Sequence, residues 1–223
     1  SRIYTDMGLL TAHEGLTREV AEVFTHLKDQ KHRPKLHHLL MAPLDLRSGL
    51  ERLIDKEIEH ALSGKPASML VKLNSLEDRD LIGKLYDASR SGVDVRIIVR
   101  GICCLVTGTK GSSDRIKAIS IVDRYLEHAR AYVFHNAGKP LVYLASADWM
   151  ERNFFKRIEV AFPILDPRVK RRVMKEGLRP YLGDNCQAWE LDSENHYRRK
   201  NPRTTRRAAQ EILLKEFTGV TNS

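Results

Sequence analysis

Ser91-Gly92-Val93-Asp94-Val95-Arg96-Ile97-Ile98-Val99-Arg100-Gly101 is the stretch on which the fold turns. Ser91-Gly92 breaks what comes before, and the β-branched run over residues 93–99 reads as a strand. Just upstream, residues 76–89 carry apolar side chains at helical spacing, with Leu81, Ile82 and Leu85 on one face, and residues 67–73 form a second strand. Further back, Leu39-Leu40-Met41-Ala42 is a strand that ends at Pro43. Asp45 or Ser48 then caps a helix through His60 with Leu50, Leu53, Ile54, Ile58 and Leu62 on its apolar face, and Gly64 stops it. Strand, helix, strand, helix, strand predicts parallel pairing with right-handed crossovers, and such sheets take ligands beyond the carboxyl ends of their strands. Arg100 and Gly101 stand at one of those ends.

Downstream the pattern changes. Residues 118–122, 129–134, 142–145 and 158–163 read as short strands with tight links, and Asn136-Ala137-Gly138 is a turn signal that makes the middle two an antiparallel hairpin. The fold class expected is therefore α/β, a mixed sheet flanked by helices. Asp166-Pro167 starts a basic helix through Lys175, residues 204–217 form a terminal helix, and residues 183–202 have no strong period and read as loop or short strand. At the other end, residues 16–27 form an amphipathic helix for which Thr17 offers a cap, followed by a proline-broken, histidine-rich loop over 28–35. The chain shows no internal repeat.

The 223 residues suffice for one large α/β domain, or one domain with an appended segment. Ser1 in place of a start methionine, and an opening that reads like the middle of an element, suggest a piece of a longer protein. No apolar run approaches the ~20 residues of a membrane span, which points to an intracellular, soluble protein. Three cysteines cannot all pair, and adjacent Cys103-Cys104 lack the spacing of a zinc or redox motif. The net charge of +9 is uneven, with 14 Lys and Arg against 7 Asp and Glu over residues 156–207. Such a surface suits a polyanionic partner; it also suits a solvated basic face.

Chemistry concentrates in Asp123-Arg124-Tyr125-Leu126-Glu127-His128-Ala129-Arg130 and in Ser146-Ala147-Asp148-Trp149. His128 and Arg130, two apart at a strand mouth, point the same way and suit a proton donor beside an anion clamp. Arg100 offers a guanidinium that stays charged at any working pH, with Gly101 permitting close backbone approach. Tyr4, near Asp6, has a ring that could stack on a nucleobase. Trp149 reads as core or lid packing, and the clusters Arg168, Lys170, Arg171, Arg172 and Arg198-Arg199-Lys200 read equally as a channel for a polyanion or as solvated faces.

The His128–Arg130 strand followed by Ser146-Ala147-Asp148 resembles the second half-site of the phospholipase D superfamily. Arg130 replaces its lysine, His135 its acidic residue and Asp148 its asparagine, departures that disfavour a phosphodiesterase. A more specific resemblance spans nearly the whole chain. Ile3-Tyr4-Thr5-Asp6-Met7-Gly8-Leu9-Leu10-Thr11, the stretch from Ser91 to Cys103, Ala118-Ile119-Ser120-Ile121-Val122-Asp123-Arg124-Tyr125-Leu126-Glu127-His128, and Ser146-Ala147-Asp148-Trp149-Met150-Glu151-Arg152-Asn153 resemble the carboxy-terminal catalytic region of the first class of polyphosphate kinases. The resemblance implies transferase chemistry: reversible movement of the terminal phosphate of ATP onto inorganic polyphosphate through a phosphohistidine, with magnesium. It implies a phospholipase D-like fold, with residues 1–40 the remnant of a preceding catalytic domain and its connecting helix, and residues 41–223 the carboxy-terminal catalytic domain. By it, Tyr4 lies near adenine, Arg100 binds nucleotide phosphates, and His128 is the second active-site histidine, a proton donor or phosphate ligand; Arg130, on the same face as His128, is a further phosphate-binding candidate from its position alone. The phosphorylated histidine and the magnesium ligands lie upstream of this chain, so it holds no metal ligand of its own and is expected to be inactive alone. The resemblance further implies a cytoplasmic homo-oligomer peripheral to the inner membrane, with ATP, ADP and polyphosphate as partners and no specific nucleic acid. The alternative is a non-enzymatic polyanion-binding domain.

Overall fold

A computed structural model describes residues 3–202 and 205–219. The chain opens with a two-residue strand, β1 (Tyr4–Thr5), and helix α1 (Glu14–Lys28). The α1 cap is His13 and not Thr17: the His13 imidazole accepts the Leu16 amide at 3.3 Å, while the Thr17 hydroxyl turns back onto the His13 and Glu14 carbonyls. Strand β2 (Leu40–Ala42) leads through Asp45 into α2 (Leu46–Leu62), after which Gly64 takes φ +69° and turns the chain. Next come β3 (Ser68–Leu73), α3 (Arg79–Arg90) and β4 (Asp94–Val99). Helix α3 starts later than its apolar period suggests because Leu76 forms bridges to Cys103 and Trp149, and Asp78 caps the helix by accepting the Leu81 amide at 2.9 Å.

Strand β5 (Ile116–Ile121) is followed by a second two-residue strand, β6 (Leu126–Glu127), by β7 (Arg130–Phe134) and by β8 (Leu141–Ala145). The β7–β8 hairpin forms as expected, its turn placing Asn136, Ala137 and Gly138 at φ +48°, +51° and +93°. Helix α4 (Glu151–Phe155), strand β9 (Glu159–Pro163) and helix α5 (Pro167–Arg172) follow. Asp166 caps α5 as expected, but the helix runs past Lys175 through a π-helical stretch, Val173–Leu178, into α6 (Arg179–Leu182). The stretch without period holds β10 (Ala188–Leu191) and β11 (Tyr197–Arg199). The terminal helix, α7 (Ala209–Thr218), begins well inside its expected span; Thr204 lies outside the described residues. Its start is set by the Asp184 carboxylate, which accepts the Ala209 amide at 2.8 Å, and by Asn185, which accepts the Arg207 amide at 2.8 Å.

Nine strands form one mixed sheet in the order β11-β10-β5-β4-β3-β7-β8-β9-β2. Strands β3, β4 and β5 are parallel and the remaining pairings are antiparallel, which confirms the expected mixed α/β sheet flanked by helices. Alternation along β3 divides its side chains between two cores. Met69, Val71 and Leu73 pack with Leu50, Ile54, Leu81 and Leu85 of α2 and α3, whereas Leu70 packs with Val173, Leu178, Tyr181 and Ala209 on the opposite face. Residues before β2 reach the rest of the fold at separate places, and Met7 and Leu9 pack on the second core. Leu16 and Val23 of α1 pack on Leu39, Met41, Val160 and Phe162 at the β2 edge, and β1 pairs in parallel with β6. The carboxyl ends of β3 and β4 and the adjoining ends of β7, β8 and β9 form one rim, across which β1 and β6 lie.

Candidate active site at the sheet rim

Gly101 follows β4 with its amide donating to the Asn74 carbonyl at 2.8 Å, and a Cβ here would stand 2.7 Å from that oxygen. The close approach expected of this glycine is therefore required. It leaves Arg100 half-buried at the rim, its Nε donating to Asn74 Oδ1 at 2.8 Å and to the Glu127 carbonyl. Burial pushes the Arg100 guanidinium below its ordinary pKa, Asp148 opposing and Arg130 reinforcing the shift; an arginine starting so high remains charged. Its Nη atoms carry no hydrogen bond among the described residues, so the outer fork of the guanidinium is open to an anion.

His128 lies between β6 and β7. Its amide donates to the Thr5 carbonyl at 2.9 Å, which places its ring beside the chain opening. Nδ1 stands 2.8 Å from Asp6 Oδ2, and the Tyr4 ring meets the imidazole edge-on at 5.2 Å. Tyr4 is itself 62 % exposed, leaving its ring open to a stacking partner. With Nδ1–H donating to Asp6, Nε2 of the neutral imidazole accepts from Arg130 Nη1 at 3.5 Å, and only the doubly protonated ring carries a proton there. Tyr4, Arg100 and His128, singled out separately in the sequence, are thus brought to one place.

Arg130 also arrives here, but already engaged. Its Nε and Nη2 reach the two Asp148 oxygens at 3.0 and 3.1 Å, and Nη1 donates to the His128 carbonyl at 3.2 Å. Asp148, where the resembled half-site has asparagine, further accepts the Asn74 and Ser75 amides at 2.7 and 3.2 Å. It neutralises Arg130 and locks the end of β8 to the end of β3. Of the two arginines, Arg100 is the one presenting an unpaired edge. Ser146 turns its hydroxyl to Glu159, which also accepts from Asn153 at 2.5 Å. Trp149 is core, fully buried with its ring 5.6 Å from that of Tyr132.

Sequence reasoning paired Tyr4 with Asp6 but missed what Asp6 does, and it missed Asn74, Lys72 and the Glu127 side chain. Lys72 was signalled by a charge inside the apolar strand Met69-Leu70-Val71-Lys72-Leu73. The basic clusters are answered in part by neighbouring acids, Arg168 by Asp166, Arg172 by Glu176, Arg198 by Asp192 and Lys200 by Glu190, while Lys170, Arg171 and Arg199 have no acidic partner among the described residues. All three cysteines are free thiols. No helix among the described residues is long and apolar enough to cross a membrane.

The chain as a whole is similar to known proteins. Residues 39–210 match the family model of the polyphosphate kinase C-terminal domain 2. Polyphosphate kinase of Paraburkholderia phytofirmans is 47 % identical over 217 residues, and that of Burkholderia cenocepacia 46 %; each alignment covers 97 % of this chain and 32 % of the relative. The chain therefore spans about a third of the length of the curated relatives it matches. The crystal structure of polyphosphate kinase from Porphyromonas gingivalis superposes with a TM-score of 0.88 at 38 % identity, over 94 % of this chain and 32 % of that one. A family model over most of the chain, relatives at this identity and a shared fold lead to one conclusion: the chain belongs to the polyphosphate kinase family, of which it carries the C-terminal domain 2.

Proposed function

We propose that this chain supplies one half of a site that exchanges the terminal phosphate of ATP with inorganic polyphosphate, reversibly. The observation carrying the reading is the meeting of Tyr4, Arg100 and His128 at one rim from three distant parts of the chain. In this reading the Tyr4 ring lies against the adenine, the open fork of Arg100 takes phosphate oxygens, and His128 in its doubly protonated form gives its Nε2 proton, or a hydrogen bond from it, to the departing ADP, keeping Nδ1–H on Asp6. Asp6 holds the imidazole through Nδ1, and Arg130, steadied by Asp148, adds positive charge behind it.

The phosphorylated histidine is assigned upstream of this chain by family resemblance alone, as are the homo-oligomeric state and the cytoplasmic, membrane-peripheral location. Magnesium, when bound, would neutralise phosphate charge. The rim carboxylates do not fit a site for it: Asp6 is tied to His128, Asp148 to Arg130 and Glu127 to Lys72. No step is therefore routed through a metal on this chain. Phosphoryl transfer depends on positioning and charge neutralisation, so this half alone binds nucleotide and turns over little.

Complementation tests the reading: this chain is mixed with a separately produced piece carrying the missing upstream domains, and ATP-dependent polyphosphate formation is followed. Activity that needs both pieces and vanishes with His128→Ala is expected. An unchanged rate with His128→Ala would overturn the role of that residue. Binding that is indifferent to the nucleobase and to Arg100→Ala, and falls steeply with salt, would reduce the chain to a polyanion binder.

A further inference from the structure

The alternation that sends Leu70 into the second core sends Lys72 there too, placing an ammonium where an aliphatic chain would pack. Lys72 is 3 % exposed. Its Nζ lies 2.9 Å from Glu127 Oε2 and 3.6 Å from the centroid of the Tyr181 ring. The other Glu127 oxygen accepts from Gln210 Nε2 at 2.7 Å, and the Gln210 amide also pairs with the Tyr125 backbone, accepting its N–H at 2.8 Å and donating to its carbonyl at 2.9 Å. Burial lowers the Lys72 pKa. Burial also raises that of Glu127, but there the Lys72 charge and the Tyr181 and Gln210 hydrogen bonds win and hold the carboxyl below its ordinary value. One ion pair thus joins β3, β6, α6 and α7.

Stability is a weak reason for such a pair. Desolvating two ions costs several kcal/mol each, and apolar residues of the same volume often serve a core equally well or better. What the pair does hold is the β6 backbone. The Glu127 carbonyl receives Arg100 Nε, the next residue is His128, and the β1 residue opposite is Thr5, flanked by Tyr4 and Asp6. The β1–β6 ladder is short: Leu126 N to Ile3 O at 2.8 Å and His128 N to Thr5 O at 2.9 Å. A ladder of two residues a side at an exposed rim sets direction weakly by itself. Fixing the Glu127 side chain inward fixes its carbonyl outward.

We propose that Lys72 and Glu127 form a positioning pair for the nucleotide site: by anchoring β6 from beneath, they aim Arg100, His128 and the Tyr4–Asp6 strap at the same phosphate. The inference rests on the phosphotransfer reading and names residues that touch no substrate.

The test uses the full-length enzyme and the variants Lys72→Met/Glu127→Leu, Arg100→Ala and their combination, with melting temperature, kcat and KM for ATP measured for each. The paired variant should fold, raise KM for ATP by about tenfold or more, and shrink the effect of Arg100→Ala, since an arginine already misaimed has less to lose. A pair serving only the core would change the melting temperature or the active fraction, scaling kcat at constant KM. A folded paired variant with wild-type KM and an undiminished Arg100→Ala effect would overturn the proposal. Should that variant fail to fold, Lys72→Met/Glu127→Gln, nearly isosteric at 127, is read by the same criteria. Failure of the phosphotransfer reading looks different: Arg100→Ala in the otherwise wild-type enzyme would then leave KM for ATP unchanged.

Discussion

Asp6 and His128 touch through one contact and both are partly open to solvent, so the fold does not depend on it. Asp6→Ala in the full-length enzyme should slow polyphosphate synthesis about ten- to a hundredfold while moving the melting temperature little; an unslowed enzyme would remove Asp6 from the mechanism. Asp148 is the opposite case, a carboxylate 5 % exposed that is the sole ion-pair partner of Arg130 among the described residues. Asp148→Ala should cost about 3–5 kcal/mol in urea unfolding, because it strands a guanidinium and two amides at the rim. Arg100 and His128 were legible because strand ends and a following glycine announce themselves in sequence. That Arg130 is neutralised was not, since its partner comes from the neighbouring strand and an arginine is spelled the same whether paired or free. Lys72 was visible as a charge among aliphatics; its meaning needed Glu127 and Tyr181, which arrive from other elements.

Strands β3 and β4 and the helices beside them could be read from period because each runs for several residues with one face or both buried. Strands β1 and β6 could not, for two residues carry no period. Caps moved for identifiable reasons, His13 taking the place of Thr17 and Asp184 delaying α7. Asp184 is 1 % exposed and accepts the amides of Cys186, Gln187, Ala188 and Ala209 at 2.7 to 3.0 Å, so it ties β10 to α7. Asp184→Ala should destabilise by about 3 kcal/mol or more, with amide exchange in α7 accelerating first; unchanged exchange there would refute the tie. The α1 attachment should weaken in acid. Burial raises the Glu19 carboxyl, but the Leu39 and His38 amides and the His38 ring outweigh it and hold it below 4.5. A carboxyl lowered in the folded state stabilises above about pH 4.5 and loses that contribution as pH falls through its folded value. The melting temperature should therefore drop less between pH 6 and 3.5 in Glu19→Gln than in the wild type.

Across the whole molecule the net charge of +9 extends beyond the rim: around α5 and β11 Arg172, Arg198 and Lys200 are answered by Glu176, Asp192 and Glu190, while Lys170, Arg171 and Arg199 have no acidic partner among the described residues. ATP binding to the chain should accordingly follow Arg100 and show a shallow salt dependence, whereas long polyphosphate, reaching the outer lysines and arginines as well, should weaken steeply between 50 and 200 mM salt. Equal slopes for the two would contradict that separation. The strap formed by β1 adds a matter of timing. It leaves the ribosome before any other described element, yet the residue that pairs with Asp6 lies 122 positions later. Throughout that interval Tyr4, 62 % exposed even in the finished fold, waits for the strand with which it pairs. The rim therefore cannot close until β6 has been made, and a chain stalled before Leu126 has Arg100 but neither the histidine nor the seat for its tyrosine.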